Sequence, residues 1–415
     1  MIKDRNLGNV FRQWGGKTTT FFTYIHFNHD LCLGLLAALL PLIKEGLGLN
    51  YLQSGLLLSA LTVTSGLSQF PGGWLGDRFS RHKVIAIGLT GVGLTTLAIG
   101  LSPAYYPMLF ILIIMGIFSG AYHPSAVSVL SSQVDYNRRG KAIALHMVGG
   151  SIGFAIGPIL GGIIAEMIGW RFAFIILSIP ALVAIPLVLK KFRQLAITKD
   201  SSPQNIKDGT KPQSKRQNTS IVQVLRPIAI IFGLAIIMHL VVGCAMAFIP
   251  IYLVDKHNVI PAYAAMLIGV TRGGGIAGSL LGGWLSDRWD RKRAILLALA
   301  AIGPILYLLT KLPFNAGLII SLILFGMLMY MRSAAVQAFL MDTVPPHLRA
   351  TVYGIFFGLC TEGVSLIQPV AGHFMDVFGI AEVFSGIALT SLGLSAIALF
   401  LAVKPKSFET NRVIS

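Results

Sequence analysis

Twelve long apolar runs dominate this 415-residue chain and leave little room for any other architecture. They fall near 19–43, 51–76, 84–102, 106–133, 142–168, 170–189, 227–253, 261–286, 294–310, 315–341, 350–376 and 379–403. A bilayer's hydrocarbon core takes about 20 helical residues per crossing, and each run is close to that length. Lipid offers no hydrogen-bond partners, so each spanning segment must satisfy its own backbone, as a helix does. The predicted fold is therefore an all-α integral membrane protein with twelve transmembrane helices. Charged residues, at 12%, are about half as frequent as in a soluble domain. The N-terminus is polar and charged through Lys17, and the first apolar run is too long for a leader's apolar region, so no cleavable leader is expected.

Between the sixth and seventh runs lies TKDSSPQNIKDGTKPQSKRQNTS, which is polar, basic and poor in apolar residues. It reads as a solvated linker. The expected organisation is an N-terminal segment 1–18, a six-helix bundle 19–195, a linker 196–224, a second six-helix bundle 225–403 and a tail 404–415. With both termini and the linker on the cytoplasmic side, 27 Lys/Arg fall inside and four (Lys44, Arg171, Lys256, Lys311) outside. Arg272 and Arg332 lie within helices. That bias predicts a multi-pass protein of the cytoplasmic membrane with both ends inside. It also accounts for the net charge of +17 without nucleic acid. A cysteine introduced at Ser214 is therefore expected to resist membrane-impermeant thiol reagents in intact cells; ready labelling from outside would overturn the orientation.

The two bundles repeat each other at an offset of 210 residues. GGWLGDRFSRHK at 72–83 matches GGWLSDRWDRKR at 282–293, and Gly116, Arg139 and His29 match Gly326, Arg349 and His239. Six helices per unit make these parallel repeats about an axis along the membrane normal, an organisation typical of transporters with a site between the repeats.

Three groups of residues stand out. The first is Gly73-x-x-x-Asp77-Arg78-x-x-Arg81 with its copy Gly283-x-x-x-Asp287-Arg288-x-x-Arg291. Here the Gly is expected to allow close helix approach, and the Asp to pair with Arg or cap the next helix. The second is a glycine ladder, Gly149, Gly153, Gly157, Gly161 and then Gly162, with Pro158 inside it, matched by Gly274, Gly278 and Gly282. Small residues at this spacing let membrane helices pack backbone to backbone. The third is a set of intramembrane ionisable groups, which are costly and default to function. Asp30 has His26 one turn before it on the same face. His123 follows Tyr122 and precedes Pro124 deep in the fourth run. Arg272, Arg332 and Glu362 fall near the middle of their runs, and His239 is the repeat mate of His29. Two Arg against one Glu favour an anionic ligand. His146 and His373 lie nearer helix ends and are expected to be wet or structural.

The doubled Gly-Asp-Arg motif resembles motif A of the major facilitator superfamily, and the resemblance spans the whole chain. It implies that Gly73, Asp77, Arg78, Arg81, Gly283, Asp287, Arg288 and Arg291 form the latch of alternating access. The ladder resembles motif C, associated with antiporters and export, and the family fold would place both ladders at a rocking interface between the halves. The Arg usual in drug/proton antiporters is replaced by Leu112. The His/Asn-Asp cluster on helix 1 and Tyr122-His123-Pro124 resemble the fosmidomycin-resistance branch. The expected function is a proton-coupled exporter of small organic molecules, with Asp30, His26 and His123 carrying the proton. His29, Tyr122, His239, Arg272, Arg332 and Glu362 would then line the substrate site. The alternative is a proton-coupled importer or exchanger of organic anions. The charge count leans that way, since protonating Asp30 makes the cavity net positive and favours moving an anion with the proton. A receptor or membrane enzyme is the rival from another class; no P-loop, H-E-x-x-H or C-x-x-C occurs. No metal, cofactor or nucleic acid is expected, and the partners are substrate, protons and lipid, with the chain a monomer. The three cysteines, Cys32, Cys244 and Cys360, lie in apolar runs and suggest no disulfide framework.

Overall fold

The computed structural model describes residues 16–75, 78, 80–135, 138–200, 225–289, 291–345 and 349–403. Within these, positions 70, 73, 139, 191–200, 227, 287, 341, 349–351 and 353–363 are described in their backbone only. The helices are α1 (Gly16–Leu33), α2 (Leu35–Leu47), α3 (Tyr51–Leu75), α4 (Arg81–Leu101), α5 (Tyr105–Gln133), α6 (Arg139–Ile168) and α7 (Trp170–Asp200). A 3-10 turn at Arg226–Ile228 leads into α8 (Ala229–His257), then α9 (Pro261–Arg288), α10 (Arg291–Lys311), α11 (Ala316–Thr343), α12 (Arg349–Phe378) and α13 (Ile380–Val403). The chain is thus all-α. Among the described residues, nine helices are long and apolar enough to cross a membrane. The other predicted crossings correspond to α1–α2, α3 and α12. Their apolar character is diluted by polar residues, such as Asn28, Asp30, Ser54 and Gln368, that turn to the interior.

Two boundaries differ from expectation. The first apolar run is two helices, broken at Gly34. A side chain at Gly34 would stand 3.2 Å from the Pro158 ring and 3.4 Å from Phe154 Cα, so α6 presses on the chain where it breaks. The sixth run continues as helix to Asp200, beyond the expected end of the first bundle at 195, because its basic, Leu-rich end is a good helix former. Residues 201–224, with most of the linker, lie outside the described residues, as do 1–15 and 404–415.

The packing repeats as the sequence does. In the first half α1 lies on α6, α3 on α5, α4 on α5 and α7, and α6 on α7. In the second half α8 lies on α12, α9 on α11, α10 on α11 and α13, and α12 on α13. Across the halves α6 meets α9 and α3 meets α12, which are equivalent pairs.

The glycine ladders serve the contacts within halves, contrary to the expected rocking interface. Gly149, Gly153 and Gly157 fit the backbone of α1 at Thr23, Phe27 and Leu31, and Gly161 meets Leu35 and Leu39 of α2. Gly274, Gly278 and Gly282 fit α11 at Ile323, Met327 and Met331. Steps of four residues follow one stripe of a helix, and that stripe faces the sister helix. The face toward the other half carries Gly162, against Ala262, and Gly269, against Ala155 and Ile159.

At the end away from the linker the halves are clasped by polar contacts. Lys44 Nζ lies 3.2 Å from Asp255 Oδ2, and the Tyr51 hydroxyl donates to the same oxygen at 2.7 Å. The backbone N–H groups of Tyr51 and Leu52 donate to the two Asp376 oxygens at 2.9 Å each. Asp376 thereby caps the N-terminus of α3 from the opposite half, where free N–H groups and the helix dipole favour an anion. Deeper in, Gly55 admits the Gln368 carbonyl and the Ser59 hydroxyl donates to the Ser365 carbonyl.

Candidate functional site in the first half and its counterpart in the second

Four histidines, an aspartate and a tyrosine converge where α1 crosses α5 and α6. Asp30 has both carboxylate oxygens engaged: Oδ1 by His29 Nδ1 at 2.7 Å and Oδ2 by His26 Nε2 at 3.2 Å. His26 Nδ1 faces the His146 carbonyl at 2.8 Å, and His146 Nδ1 faces the Phe22 carbonyl at 3.0 Å. The His26 and His146 rings stack at 4.2 Å, His29 stacks on Tyr122 at 4.4 Å, and His123 stands edge-on to His29 at 4.8 Å. The predicted proton group Asp30, His26 and His123 is thus brought together as one cluster.

The hydrogen bonds count the protons. A carbonyl only accepts, so His26 Nδ1 carries a hydrogen. His26 Nε2 then faces a carboxylate oxygen, and the contact needs one proton between them. Either His26 is an imidazolium beside a carboxylate, or a neutral ring accepts from a carboxylic acid. Removing that proton leaves two acceptors face to face in a buried site, which is costly. The pair is therefore a place to hold a transferable proton.

Several placements were not legible from sequence. His146, expected to be wet or structural, is fully buried and fixes His26 through its own carbonyl. Its distance from the helix start conceals that α6 crosses α1 at this level. Gly150, which the ladder pattern passes over, is the floor of the site: a side chain there would stand 2.6 Å from His26 Nε2 and collide with Asp30 Oδ2. His29 and Tyr122, expected to line the substrate site, are fully enclosed instead. They are packed into the acid–base cluster because α1 and α5 close over them. His373 is exposed, as expected. The string Gly149–Gly153 reads G-x-S-x-G, a nucleophile pattern, but it is the middle of α6, and the Ser151 hydroxyl donates to the Met147 carbonyl at 3.1 Å. It lacks the strand-to-helix turn such a nucleophile needs.

In the second half the equivalent positions are rebuilt. Asp30 and His26 map to Leu240 and Ile236, while Tyr122 maps to Arg332. Arg332 is 1% exposed and donates to the Ala235 carbonyl at 3.1 Å and to His239 Nδ1. Arg272 is placed differently. It is only partly buried, makes no salt bridge among the described residues, and its guanidinium lies 4.6 Å from the Phe154 ring of α6, across the interface. The structure thus separates the two arginines: Arg332 is engaged within its half, and Arg272 reaches toward the other. The Glu362 side chain lies outside those described.

His26, Asp30 and His123 each offer a donor atom within 4.8 Å of the others, a spacing that could hold a metal ion. Both Asp30 oxygens already meet histidine nitrogens.

At the linker end, Arg78 and Arg288 occupy equivalent places, their guanidinium groups over Trp74 and Trp284 at 5.3 and 5.4 Å. Arg291 pairs with Asp342, and the Ser80 hydroxyl caps α4 by accepting from the Lys83 N–H. Gly283 has open space where a side chain would stand, so it does not supply the expected close approach. Its neighbours Gly72 and Gly282, one residue earlier in the repeat, do: they sit against Ala121 and Met331. Asp77 lies outside the described residues, and Gly73 and Asp287 are described in their backbone only.

Comparison with known proteins agrees with this architecture. Residues 22–369 match the family model described as Major Facilitator Superfamily. The Fosmidomycin resistance protein of Escherichia coli (strain K12) is 23% identical over 385 residues, covering 91% of this chain and 90% of its own. The Gallate transporter of Pseudomonas putida is 24% identical over 388 residues, covering 88% and 85%. A crystal structure of a bacterial homolog of the human lysosomal transporter Spinster, inward-facing and unoccupied, superposes with a TM-score of 0.71. It is 16% identical and covers 93% of this chain and 94% of that one. With a family match over most of its length and the family's helical fold, the chain belongs to the major facilitator superfamily of multi-pass membrane transporters.

Proposed function

We propose that this chain moves a small organic anion by alternating access, coupled to a proton held on the His26–Asp30 pair. The observation that carries this reading is the division of ionisable groups between the halves. The first half holds an acid–base cluster and the second a guanidinium, Arg272, that reaches α6 across the interface. A guanidinium can grip a carboxylate or phosphonate with two parallel hydrogen bonds. Its attraction for an anion is offset when the His26–Asp30 pair lacks its proton and restored when the pair gains one. Anion and proton therefore favour the same state, which supports moving them in one direction.

Export by exchange is a second reading, favoured by the ladder's likeness to motif C and by the Fosmidomycin resistance relative. The two readings differ in sign. Purified protein in weakly buffered solution, given gallate or fosmidomycin as anionic probes, is expected to take up protons as the probe binds. Proton release on binding would favour exchange.

A further inference from the structure

The second half contains a histidine whose proton the structure assigns. A guanidinium has only N–H donors and accepts nothing. Arg332 directs one of these at His239 Nδ1, so that nitrogen bears the lone pair and the ring hydrogen sits on Nε2. A second N–H of Arg332 goes to the Ala235 carbonyl, one turn before His239 on the same helix. The guanidinium is thus anchored to α8 at two points, and it is almost wholly enclosed. His239 itself is half-buried, and only its Nδ1 is committed to Arg332.

The repeat sharpens the contrast. The equivalent histidine, His29, sits beside Tyr122 where His239 sits beside Arg332, and it turns Nδ1 to the Asp30 carboxylate. An acceptor sets the first ring, so its Nδ1 carries a hydrogen. A donor sets the second, so its Nδ1 does not. The duplicated histidines are held with opposite hydrogen placement, the first by Asp30 and the second by Arg332, which stands where the first half has Tyr122.

We infer that Arg332 is a positioning residue that acts on the substrate through His239, locking the ring as a neutral Nε2–H donor for an acceptor oxygen of the transported anion. The inference rests on the anionic-substrate reading for its functional half and on geometry alone for the lock. Without Arg332 the ring is free to place its hydrogen on either nitrogen or to take up a second one, and the fixed donor is lost. Selectivity follows: an anion with an oxygen that can accept from His239 is favoured over a cation, which would face an N–H and a guanidinium together.

The test has two arms. Histidine-labelled full-length protein is examined by 15N NMR, with the His239 signal identified by its absence in His239→Gln. The wild-type ring is expected to show a protonated Nε2 and a bare Nδ1. A protonated Nδ1, or an imidazolium, overturns the lock whatever the substrate is, and this arm needs no change at Arg332. The second arm is a double-mutant cycle read by binding of gallate or fosmidomycin. Arg332→Gln and His239→Asn are each expected to weaken binding about tenfold, and the double variant no further than the weaker single one, as for residues acting through one contact. Multiplicative losses, about a hundredfold together, would mean that Arg332 meets the anion directly and would overturn the positioning role. If neither probe binds the wild type, the anion reading and with it the functional half of the inference fail, while the NMR arm still decides the lock.

Discussion

Asp30→Asn is expected to abolish accumulation of substrate driven by a pH gradient while leaving exchange across the membrane intact. The hydrogen bonds explain why the two activities separate. In wild type, His29 Nδ1 donates to one Asp30 oxygen and the other shares a proton with His26 Nε2. An asparagine can accept from His29 with its oxygen and donate to a neutral His26 Nε2 with its amide. His26 Nδ1 keeps its bond to the His146 carbonyl. Every contact survives, so the fold is retained, but no proton can be gained or lost. Asp30→Ala differs: it leaves buried histidine donors unpaired, at a cost of about 1–3 kcal/mol for each, and is expected to lower thermal stability as well. The comparison is read by uphill uptake, counterflow and thermal melting of the same preparations. Wild-type accumulation by Asp30→Asn would move the proton site elsewhere.

Arg272→Lys is the second large effect expected, a loss of at least tenfold in affinity for the anionic substrate, about 1.4 kcal/mol. Arg272 is singled out over Arg332 because it is partly accessible and lies over Phe154 of the other half. A lysine keeps the charge but loses the planar fork, both for two parallel hydrogen bonds to the anion and for lying flat on the ring. Arg332→Lys is expected to act more weakly on binding if a single ammonium can still donate to His239 Nδ1. Equal affinity of wild type and Arg272→Lys, or a cationic substrate, would rule out the anion reading.

How much was legible in the sequence depended on the kind of pattern. Apolar runs of bilayer length located the helices, because length and hydropathy alone decide whether a segment suits lipid. The 210-residue repeat anticipated the matched packing of the two halves. His26 and Asp30, one turn apart, were bound to meet on any helix. What failed required knowing which helix faces which. The four-residue glycine spacing marks a stripe for close packing without naming its partner, and the partner is the sister helix in the same half. His146 and Gly150 belong to the site only because α6 crosses α1 beside Asp30. The close approach of Pro158 and Phe154 to Gly34 likewise involves a distant segment. The roles of Arg272 and Arg332, alike in sequence as buried charges, diverge through neighbours on α6 and α8 that no spacing rule relates to them.

The central claim is that the His26–Asp30 pair couples proton movement to an anion. Its most direct test is transport in proteoliposomes of purified protein, using radiolabelled gallate or fosmidomycin, whichever binds, under an imposed pH gradient. Accumulation above equilibrium is predicted when the outside is acid, collapsing on addition of a protonophore and absent in Asp30→Asn. Accumulation only when the inside is acid, or accumulation indifferent to the gradient and to Asp30, would contradict it.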